Sequence, residues 1–201
     1  MRIFSHIDLL RHGEIQGGGR FFGSTDIALT EHGWQQMWTR TEINSPCWDH
    51  IVTSPLIRCA NFAQAFGLHY SIPITQDDRI KEFDFGVWEG CSAAELMNSD
   101  AESLTRFWNN PAKYTPTNAE YLIDFQARVL SAWHDITSIY AGQRILIITH
   151  SGVIRTILCH VLQHPIERLL EFDVAYATLR HIQIETLENS QLATLIPDRP
   201  T

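Results

Sequence analysis

Short apolar runs recur along the chain, and segments with helical periodicity separate most of them. The runs cover residues 7–10, 50–53, 72–75 and 145–149. Apolar runs of this length between polar segments are typical of strands that are buried on both faces. Strands that alternate with helices favour an α/β fold with a mostly parallel sheet.

The helical segments carry start and stop signals. Ser54 followed by Pro55 predicts an N-cap and a first helical residue, and Gly67 predicts the end of that helix. Gly142 predicts the end of a later helix, and Pro165 follows the last one. The predicted helices cover residues 30–43, 54–66, 118–141 and 151–162.

Two regions fall outside this alternation. Residues 178–185 and 191–196 alternate between apolar and polar side chains around a Glu-Asn-Ser turn, which predicts a hairpin at one edge of the sheet. Residues 86–118 contain two short helical patterns and a polar loop, and we interpret them as a lid. We therefore predict a three-layer α/β/α sandwich, in which residues 1–201 form one domain with the lid inserted at about 86–118.

Composition agrees with one globular domain and narrows the class of ligand. The chain has 201 residues with 44% apolar and 19% charged side chains, enough to bury a sizeable core. The 15 Lys and Arg against 23 Asp and Glu give a net charge of -8, which disfavours binding to nucleic acid or to an anionic membrane. We expect a cytoplasmic protein, because the N-terminus lacks signal-peptide features and no apolar run could span a bilayer. The four widely spaced cysteines predict neither a zinc site nor a disulfide framework.

Cationic and polar residues follow three of the predicted strands. Arg11 and His12 follow the first strand, Arg58 comes shortly after the second, and His150 and Ser151 follow the strand at 145–149. Ligands of open parallel sheets bind beyond the carboxyl ends of the strands, so we expect these residues to meet at one edge. The two later segments also open helices, whose free N–H groups and dipoles attract anions. In an otherwise acidic protein, this cluster predicts a phosphate site.

His12 is the candidate nucleophile of this phosphate site. A neutral imidazole attacks phosphorus without needing a base, and no serine or cysteine is placed to compete. We expect His150 to donate to the phosphoryl oxygens that gain charge in the transition state. Glu82 lies in the segment KEFDFG, where apolar neighbours would suit a carboxyl group that gives a proton to the leaving oxygen. A metal site at His12, His150 and Glu82 is the competing interpretation. The adjacent Arg11 and Arg58 disfavour it, because they would repel a divalent cation.

Five segments resemble motifs of the histidine phosphatase superfamily, in the branch that contains phosphoglycerate mutases and small phosphatases. In the family's order they are LLRHGE at residues 9–14, TDIALTEHG at 25–33, SPLIRC at 54–59, EFDFGVWEG at 82–90 and THSGVIR at 149–155. The resemblance covers about residues 5–160 and implies a phosphoglycerate mutase-like fold and a phosphohistidine mechanism without metal or other cofactor. It implies that His12 is phosphorylated and that Glu82 is the proton donor. Arg11, Arg58 and His150 are then the phosphate pocket.

The chain departs from the family pattern at two positions. An asparagine six residues after the phosphorylated histidine usually contributes to the phosphate pocket, and this chain has Gly18 there. Gln16 is the candidate to replace it, and Ser151, at a helix N-terminus, is a further candidate phosphate ligand. The family often reads Gly-Gly-Glu-Ser after the lid, and this chain reads Asn-Ala-Glu-Tyr at 118–121, so a polar lid contact is altered.

Within the superfamily the chain looks most like the α-ribazole phosphatases of cobalamin lower-ligand assembly. This resemblance implies a small phosphorylated metabolite as partner, and a nucleoside-like phosphate monoester in particular. Arg106 and Lys113 are the only cations between residues 86 and 118, so a second phosphate group would be poorly held. Aromatic residues near the site are either core of the lid or surfaces on which a flat base stacks. They are Phe21, Phe22, Phe83, Phe85, Trp88, Phe107, Trp108 and Tyr114.

Three alternative functions share the same residues. The first is a broad-specificity phosphatase of small metabolites, and the second is a phosphoglycerate mutase-type phosphotransferase. The third belongs to a different class, an inactive module that only binds a phosphorylated ligand. Hydrolysis of a generic aryl phosphate that is lost in His12→Ala would exclude the inactive module.

Overall fold

One six-stranded sheet runs through the described part of the chain, which in this computed structural model comprises residues 2–42, 47–187 and 190–197. The strands are β1 (Arg2–Arg11), β2 (His50–Thr53), β3 (Ile74–Gln76), β4 (Arg144–Thr149), β5 (Leu179–Leu187) and β6 (Ser190–Ile196). They lie in the order β3-β2-β4-β1-β5-β6. The first four in that order are parallel, whereas β5 and β6 form an antiparallel hairpin at one edge. The predicted parallel sheet with an edge hairpin is confirmed.

Helices cover both faces of the sheet. They are α1 (Glu31–Glu42), α2 (Ile57–Tyr70), α3 (Ala93–Asn109), α4 (Leu122–Ile139) and α5 (Ser151–Val161). Successive residues of β4 point to opposite faces. Ile145 and Ile147 pack into one core with α4 and α5, whereas Leu146 and Ile148 pack into the other with α1 and α2. This alternation produces the three-layer sandwich that the sequence predicts.

Two strands differ in extent from the apolar runs that predict them. β1 extends well before residue 7, and its residues before His6 pair with β5 alone. A strand segment with one neighbour is more exposed and need not be continuously apolar. The apolar run at 7–10 therefore marks only the part of β1 that lies between β4 and β5. β3 starts later than predicted, because the N–H of Ile72 donates to the carbonyl of Gly67 at the end of α2.

The predicted start and end of α2 are wrong. The N-cap residue is Leu56 and not Ser54, whose hydroxyl lies 2.8 Å from the ring Nε2 of His150. Gly67 lies inside the helix, which ends at Tyr70, and the C-cap residue Ser71 is in the left-handed region with φ of 57°. A Cβ on Gly67 would lie 2.6 Å from the side chain of the first residue of β3. The glycine therefore permits close approach of a strand and does not stop the helix.

The other helix boundaries show where loop geometry overrides periodicity. α4 begins at Leu122 and not at residue 118, because Asn118 has a φ of 60° that a right-handed helix does not allow. It ends at Ile139, and Gly142 with φ of 83° lies in the turn before β4. α5 ends within one residue of its predicted end. The predicted last residue of α1, at position 43, lies outside the described residues.

The segment interpreted as a lid contains a short 3₁₀ helix, Gly86–Trp88, followed by α3. Ser92 caps α3 through a reciprocal pair of hydrogen bonds with Glu95. Asp100 interrupts the helix with φ of -154° and ψ of 59°, and its carboxylate accepts from the N–H of Ser103. The two predicted helical patterns are therefore the two halves of one kinked element. Within the described ranges, no helix is long and apolar enough to cross a membrane.

Candidate active site

The carboxyl ends of β1, β2 and β4 bring the candidate residues of distant segments together. The ring centroids of His12 and His150 lie 5.3 Å apart. The guanidinium Nε of Arg58 donates to Nδ1 of His150 over 3.2 Å. The carboxylate of Glu82 accepts from the N–H of Gly152 at the start of α5, at 3.1 Å. One cluster at this edge of the sheet therefore holds a potential nucleophile, a second histidine, arginines and a carboxyl group.

The ring of His12 is oriented so that one nitrogen is free to react. The side chain is 4% exposed, and Nδ1 lies 2.8 Å from the carbonyl oxygen of Gly13. A carbonyl only accepts, so Nδ1 must carry the proton and Nε2 must hold a lone pair. Burial, followed by the charges of Arg11 and Arg58, holds the pKa of His12 well below its ordinary value. The imidazole is therefore neutral at pH 7, as a nitrogen nucleophile requires.

His150 is fully buried at the N-cap of α5, and both of its ring nitrogens have protein partners. Nδ1 accepts from Arg58, so Nε2 carries the proton and donates to the hydroxyl of Ser54 at 2.8 Å. Burial is the main cause that holds the pKa of His150 well below its ordinary value, with Arg58 and His12 adding to it. His150 is therefore a neutral hydrogen-bond donor whose resting partner is Ser54.

Arg58 is fully buried and ties the cluster to the loop at residues 22–25. Its terminal nitrogens donate to the carbonyls of Thr25 at 2.8 Å and Gly23 at 2.7 Å. Glu89 binds the same loop from the other side and accepts from the backbone N–H groups of Gly23, Ser24 and Thr25. Burial raises the pKa of Glu89, but hydrogen bonds from the Thr25 hydroxyl and from the N–H groups of Phe85, Thr25 and Ser24 outweigh it and lower the pKa below its ordinary value. An ionised Glu89 and Arg58 therefore hold one loop between them.

The guanidinium of Arg11 is only partly bound by the described residues. Its Nη1 donates to the carbonyl of Val174 at 2.6 Å, and the guanidinium lies 4.2 Å from the ring centroid of Tyr176. Its buried Nε has no hydrogen-bond partner among the described residues. Burial lowers the pKa of Arg11, and the nearby Glu82 partly offsets this effect. A desolvated cation with a free donor is suited to an anionic group.

Glu82 is 7% exposed and lies at the N-terminus of α5. Its carboxylate accepts from the N–H of Gly152, from the hydroxyl of Ser151 at 3.2 Å and from the N–H of Phe83 at 3.0 Å. A Cβ on Gly152 would overlap the carboxylate, so any other residue there would displace the Glu82 side chain. The carboxyl group of Glu82 is held in place by these contacts, and it faces the same space as His12 and Arg11.

Arg128 supports the segment that carries Glu82, and sequence reasoning missed it. Its guanidinium donates to the backbone carbonyls of Arg79 and Lys81, both at 2.8 Å, and of Glu82 at 3.0 Å. It also forms a two-pronged ion pair with Glu120, at 2.6 and 2.8 Å. Glu120 is the residue that the Asn-Ala-Glu-Tyr segment shares with the Gly-Gly-Glu-Ser pattern of the family. This shared glutamate was the sequence signal that could have pointed to a cationic partner such as Arg128.

A cavity of about 470 Å³ opens over this cluster. Its inner end is polar and is lined by Arg11, His12, Glu82 and Ser151. Its outer walls are largely aromatic, with α3 contributing from the lid side. The aromatic lining residues are Phe21, Phe22, Phe83, Phe85, Phe107, Trp108, Phe125 and Tyr176. A cavity with one polar end and aromatic walls fits a phosphate ester of an apolar, flat group.

Some sequence-predicted residues lie elsewhere. Arg58 and His150 are buried behind the cavity lining, and Gln16 is exposed and does not line the cavity. The lid cations Arg106 and Lys113 flank the ring of Tyr114, away from the cavity. Among the described residues, no group of three or more His, Cys, Asp or Glu side chains is arranged to hold a metal ion.

Two other arginines line the cavity and were not singled out from sequence. Arg20 pairs with Glu95 at 2.7 Å and donates to the carbonyl of Gly90. Arg155 donates through Nε to the carbonyl of Phe172 at 2.9 Å. The cavity therefore contains positive charge beyond Arg11, although part of it is committed to protein partners.

Comparison with known families and structures agrees with this geometry. The model of the histidine phosphatase superfamily (branch 1) matches residues 7–194. The adenosylcobalamin/α-ribazole phosphatase of Escherichia coli K12 is 28% identical over 190 residues, which are 93% of this chain and 92% of that protein. Phosphoserine phosphatase 1 of Hydrogenobacter thermophilus is 26% identical and aligns over 90% of this chain and 87% of that protein.

A solved structure extends the similarity to three dimensions. The crystal structure of the α-ribazole phosphatase from Shigella flexneri superposes with a TM-score of 0.80 at 27% sequence identity. The match covers 95% of this chain and 94% of that one. The sequence motifs, the sheet order and the site geometry thus point to one family.

Proposed function

The chain belongs to the histidine phosphatase superfamily (branch 1) and is a phosphomonoester hydrolase, and we propose that it acts through a phosphohistidine at His12 on a nucleoside-like monoester. The observation that carries the mechanism is the state of His12. It is buried, it is neutral because its pKa is lowered, and its Nδ1 is committed to Gly13, so Nε2 is free beside Arg11.

In the first step, the Nε2 lone pair of His12 forms a bond to phosphorus while the bond from phosphorus to the leaving oxygen breaks. Glu82 starts this step as the carboxylic acid that the second step regenerates, and it gives its proton to that oxygen, so that an alcohol and not an alkoxide departs. The free Nε of Arg11 and the hydroxyl of Ser151 bind the phosphoryl oxygens.

In the second step, the Glu82 carboxylate takes a proton from water as the water oxygen attacks phosphorus. The bond from phosphorus to Nε2 breaks, inorganic phosphate leaves, and neutral His12 is restored. His150 donates to the phosphoryl oxygens in both steps and exchanges its resting bond to Ser54 for this purpose. Arg58 contributes positive potential from behind and keeps the loop at 22–25 in place. Gln16 is exposed and does not line the cavity, and it has no role in this scheme.

No metal is needed in this scheme. The positive charge of Arg11 and Arg58 and the N-terminus of α5 supply the field that a cation would otherwise provide. We expect full activity in EDTA, and activity that is abolished by EDTA and restored by zinc or magnesium would contradict the scheme. The expected cytoplasmic location remains a prediction from sequence.

The substrate proposed is α-ribazole 5'-phosphate, in the assembly of the cobalamin lower ligand. The aromatic cavity walls favour a substrate with a flat heteroaromatic base, because the base would stack on them. Two relatives named as α-ribazole phosphatases support the same choice. Arg106 and Lys113 do not line the cavity, and the two further arginines that do, Arg20 and Arg155, are bound to Glu95 and to the carbonyl of Phe172. The second phosphate group of a bisphosphorylated glycerate would therefore be poorly held.

A substrate panel tests this choice. The measurement is kcat/KM for α-ribazole 5'-phosphate, phosphoserine, 3-phosphoglycerate, 2,3-bisphosphoglycerate and fructose 2,6-bisphosphate, with His12→Ala as the inactive control. We expect α-ribazole 5'-phosphate to be the best substrate. If a glycerate, phosphoserine or the fructose bisphosphate is best, the substrate proposal is wrong and the phosphatase chemistry stands. Transfer of phosphate to a second metabolite in place of water would identify a mutase.

A further inference from the structure

The loop at residues 174–178 is attached to the strand end that carries the nucleophile. The carbonyl of Val174 accepts from Arg11 at 2.6 Å, and the N–H of Ala177 donates to the carbonyl of His12 at 3.1 Å. The backbone N–H of Arg11 also donates to the carbonyl of Thr178 at 2.9 Å. Tyr176 sits in the middle of this loop, so its position is fixed relative to Arg11 and His12.

The ring of Tyr176 forms a wall of the cavity directly beside the reacting groups. It lies under the guanidinium of Arg11 at 4.2 Å, and its centroid is 5.8 Å from that of the His12 ring. Stacking on an aromatic face leaves the in-plane N–H groups of an arginine available for an anion. The ring therefore orients Arg11, and it borders the space in which a phosphoryl group on His12 would lie.

The hydroxyl of Tyr176 has no hydrogen-bond partner among the described residues, although the side chain is half-buried. It lies next to Gly18, where a Cβ would be 3.6 Å from the hydroxyl oxygen. No side chain at position 18 competes for the hydroxyl or covers it. The hydroxyl is not among the buried polar atoms that lack a partner, so it is open to solvent and available to donate to a bound anion.

We propose that Tyr176 is a phosphate-binding residue, whose hydroxyl donates a hydrogen bond to a non-bridging oxygen of the phosphoryl group held at His12. This inference rests on the proposed phosphatase function and adds a ligand to its site. A hydroxyl donor binds the phosphoryl oxygens without adding charge next to Arg11. Its contribution appears with inorganic phosphate as well as with any monoester, because the hydrogen bond is to the transferred group and not to the leaving group.

The test separates the hydroxyl from the ring. Tyr176→Phe keeps the ring over Arg11 and removes only the hydroxyl. We expect kcat/KM for a generic aryl phosphate to fall about 10- to 100-fold, as for loss of a hydrogen bond to a charged group. The Kd of inorganic phosphate, measured by calorimetry, should rise, because the same hydrogen bond is lost. Thermal unfolding should stay unchanged, because the hydroxyl has no protein partner to lose.

A second variant tests whether position 18 can supply the missing donor. Gly18 has an ordinary backbone conformation, and a side chain there would point toward the place of the Tyr176 hydroxyl. Gly18→Asn combined with Tyr176→Phe should therefore recover part of the lost phosphate affinity. If the asparagine replaces the hydroxyl, Gly18→Asn should raise phosphate affinity more in the Tyr176→Phe background than in the unaltered protein. An equal gain in both backgrounds would contradict the replacement.

Tyr114→Phe is the matched control. Tyr114 also packs against cationic side chains, Arg106 and Lys113, but it does not line the active-site cavity. This control should leave kcat/KM and the phosphate Kd unchanged. The proposal for Tyr176 is overturned if Tyr176→Phe binds phosphate like the unaltered protein. If the unaltered protein binds phosphate but hydrolyses no monoester, the proposed function fails, and the binding measurement still decides the role of Tyr176.

Discussion

Replacing Arg128 by methionine should destabilise the protein and weaken proton donation by Glu82. Methionine keeps a long apolar stem that can still pack on Phe125, which lies 4.7 Å below the guanidinium. The substitution leaves three backbone carbonyls at residues 79, 81 and 82 without their donors. It also leaves the carboxylate of Glu120 unpaired, with only 19% of that side chain exposed.

The magnitude follows from burial. Removing one partner of a largely buried ion pair costs about 3–5 kcal/mol, because the remaining charge is desolvated without compensation. Arg79→Met is the matched control, since Arg79 binds the carboxylates of Asp77 and Asp135. Arg79 is 35% and Asp135 54% exposed, and Asp77, at 15% exposed, keeps the backbone N–H of residue 79 as a partner when the guanidinium is removed. Exposed ion pairs contribute about 0–1 kcal/mol each. We therefore expect a clearly larger loss of unfolding free energy for Arg128→Met than for Arg79→Met.

Urea unfolding at pH 7 measures both losses, and kcat on an alkyl phosphate reports the position of Glu82. If Arg128→Met does not fold, Arg128→Lys replaces it in the test. Lysine keeps the charge but lacks the planar two-pronged donor, so the free energy of unfolding should fall by about 1–3 kcal/mol because carbonyls are left unsatisfied. Equal losses for the Arg128 and Arg79 variants would refute the reasoning. So would an Arg128 variant that keeps full kcat on the alkyl phosphate.

Three further predictions concern the site itself. Glu82→Gln should lower kcat about 10²-fold on an alkyl phosphate and clearly less on an aryl phosphate with an acidic phenol, because a proton donor matters only for a basic leaving oxygen. Equal losses of kcat on both substrates would assign Glu82 to binding. The unfolding free energy should be highest above about pH 6.5 and decrease below it, since the unfolded chain protonates His12 and His150 while their lowered pKa values keep them neutral in the folded state. Each histidine contributes a slope of about 1.4 kcal/mol per pH unit, so His12→Asn should flatten the urea-derived profile by that amount, and an unchanged slope would contradict the assigned pKa direction. Trp108→Ala should raise KM for a nucleoside monoester about 2- to 10-fold and leave that for phosphoserine unchanged, since stacking contributes about 0.5–1.5 kcal/mol; equal effects on both substrates would remove Trp108 from base binding.

The sheet and the edge where the site lies could be predicted because they follow from local pattern. Residues of β4 are apolar on both faces, as a central parallel strand requires, and the polar residues that matter come directly after the strands. Arg11, His12 and His150 could therefore be assigned to one edge without any knowledge of packing. The family motifs then attached chemical roles to these positions.

The supporting contacts could not be predicted, because they join residues that are distant along the chain. Ser54 resembles a helix cap in sequence, but its hydroxyl is bound to His150, 96 residues away. Arg58 looks like a cavity residue, but its donors are bound to carbonyls of the loop at 22–25. Tyr176 lies in no recognisable motif and reaches the site only through the pairing of β5 with β1. Side chains of this kind are fixed by tertiary structure and not by local periodicity.

The central claim is that His12 is phosphorylated during turnover, and rapid quenching with a ³²P-labelled monoester tests it most directly. The account predicts a protein-bound label that is lost in acid and stable in alkali, that maps to the peptide containing His12, and that is absent from His12→Ala. Glu82→Gln should accumulate more of the label when an aryl phosphate is used, because the carboxylate that activates water is gone. An acid-stable label, or a label that persists in His12→Ala, would contradict the account.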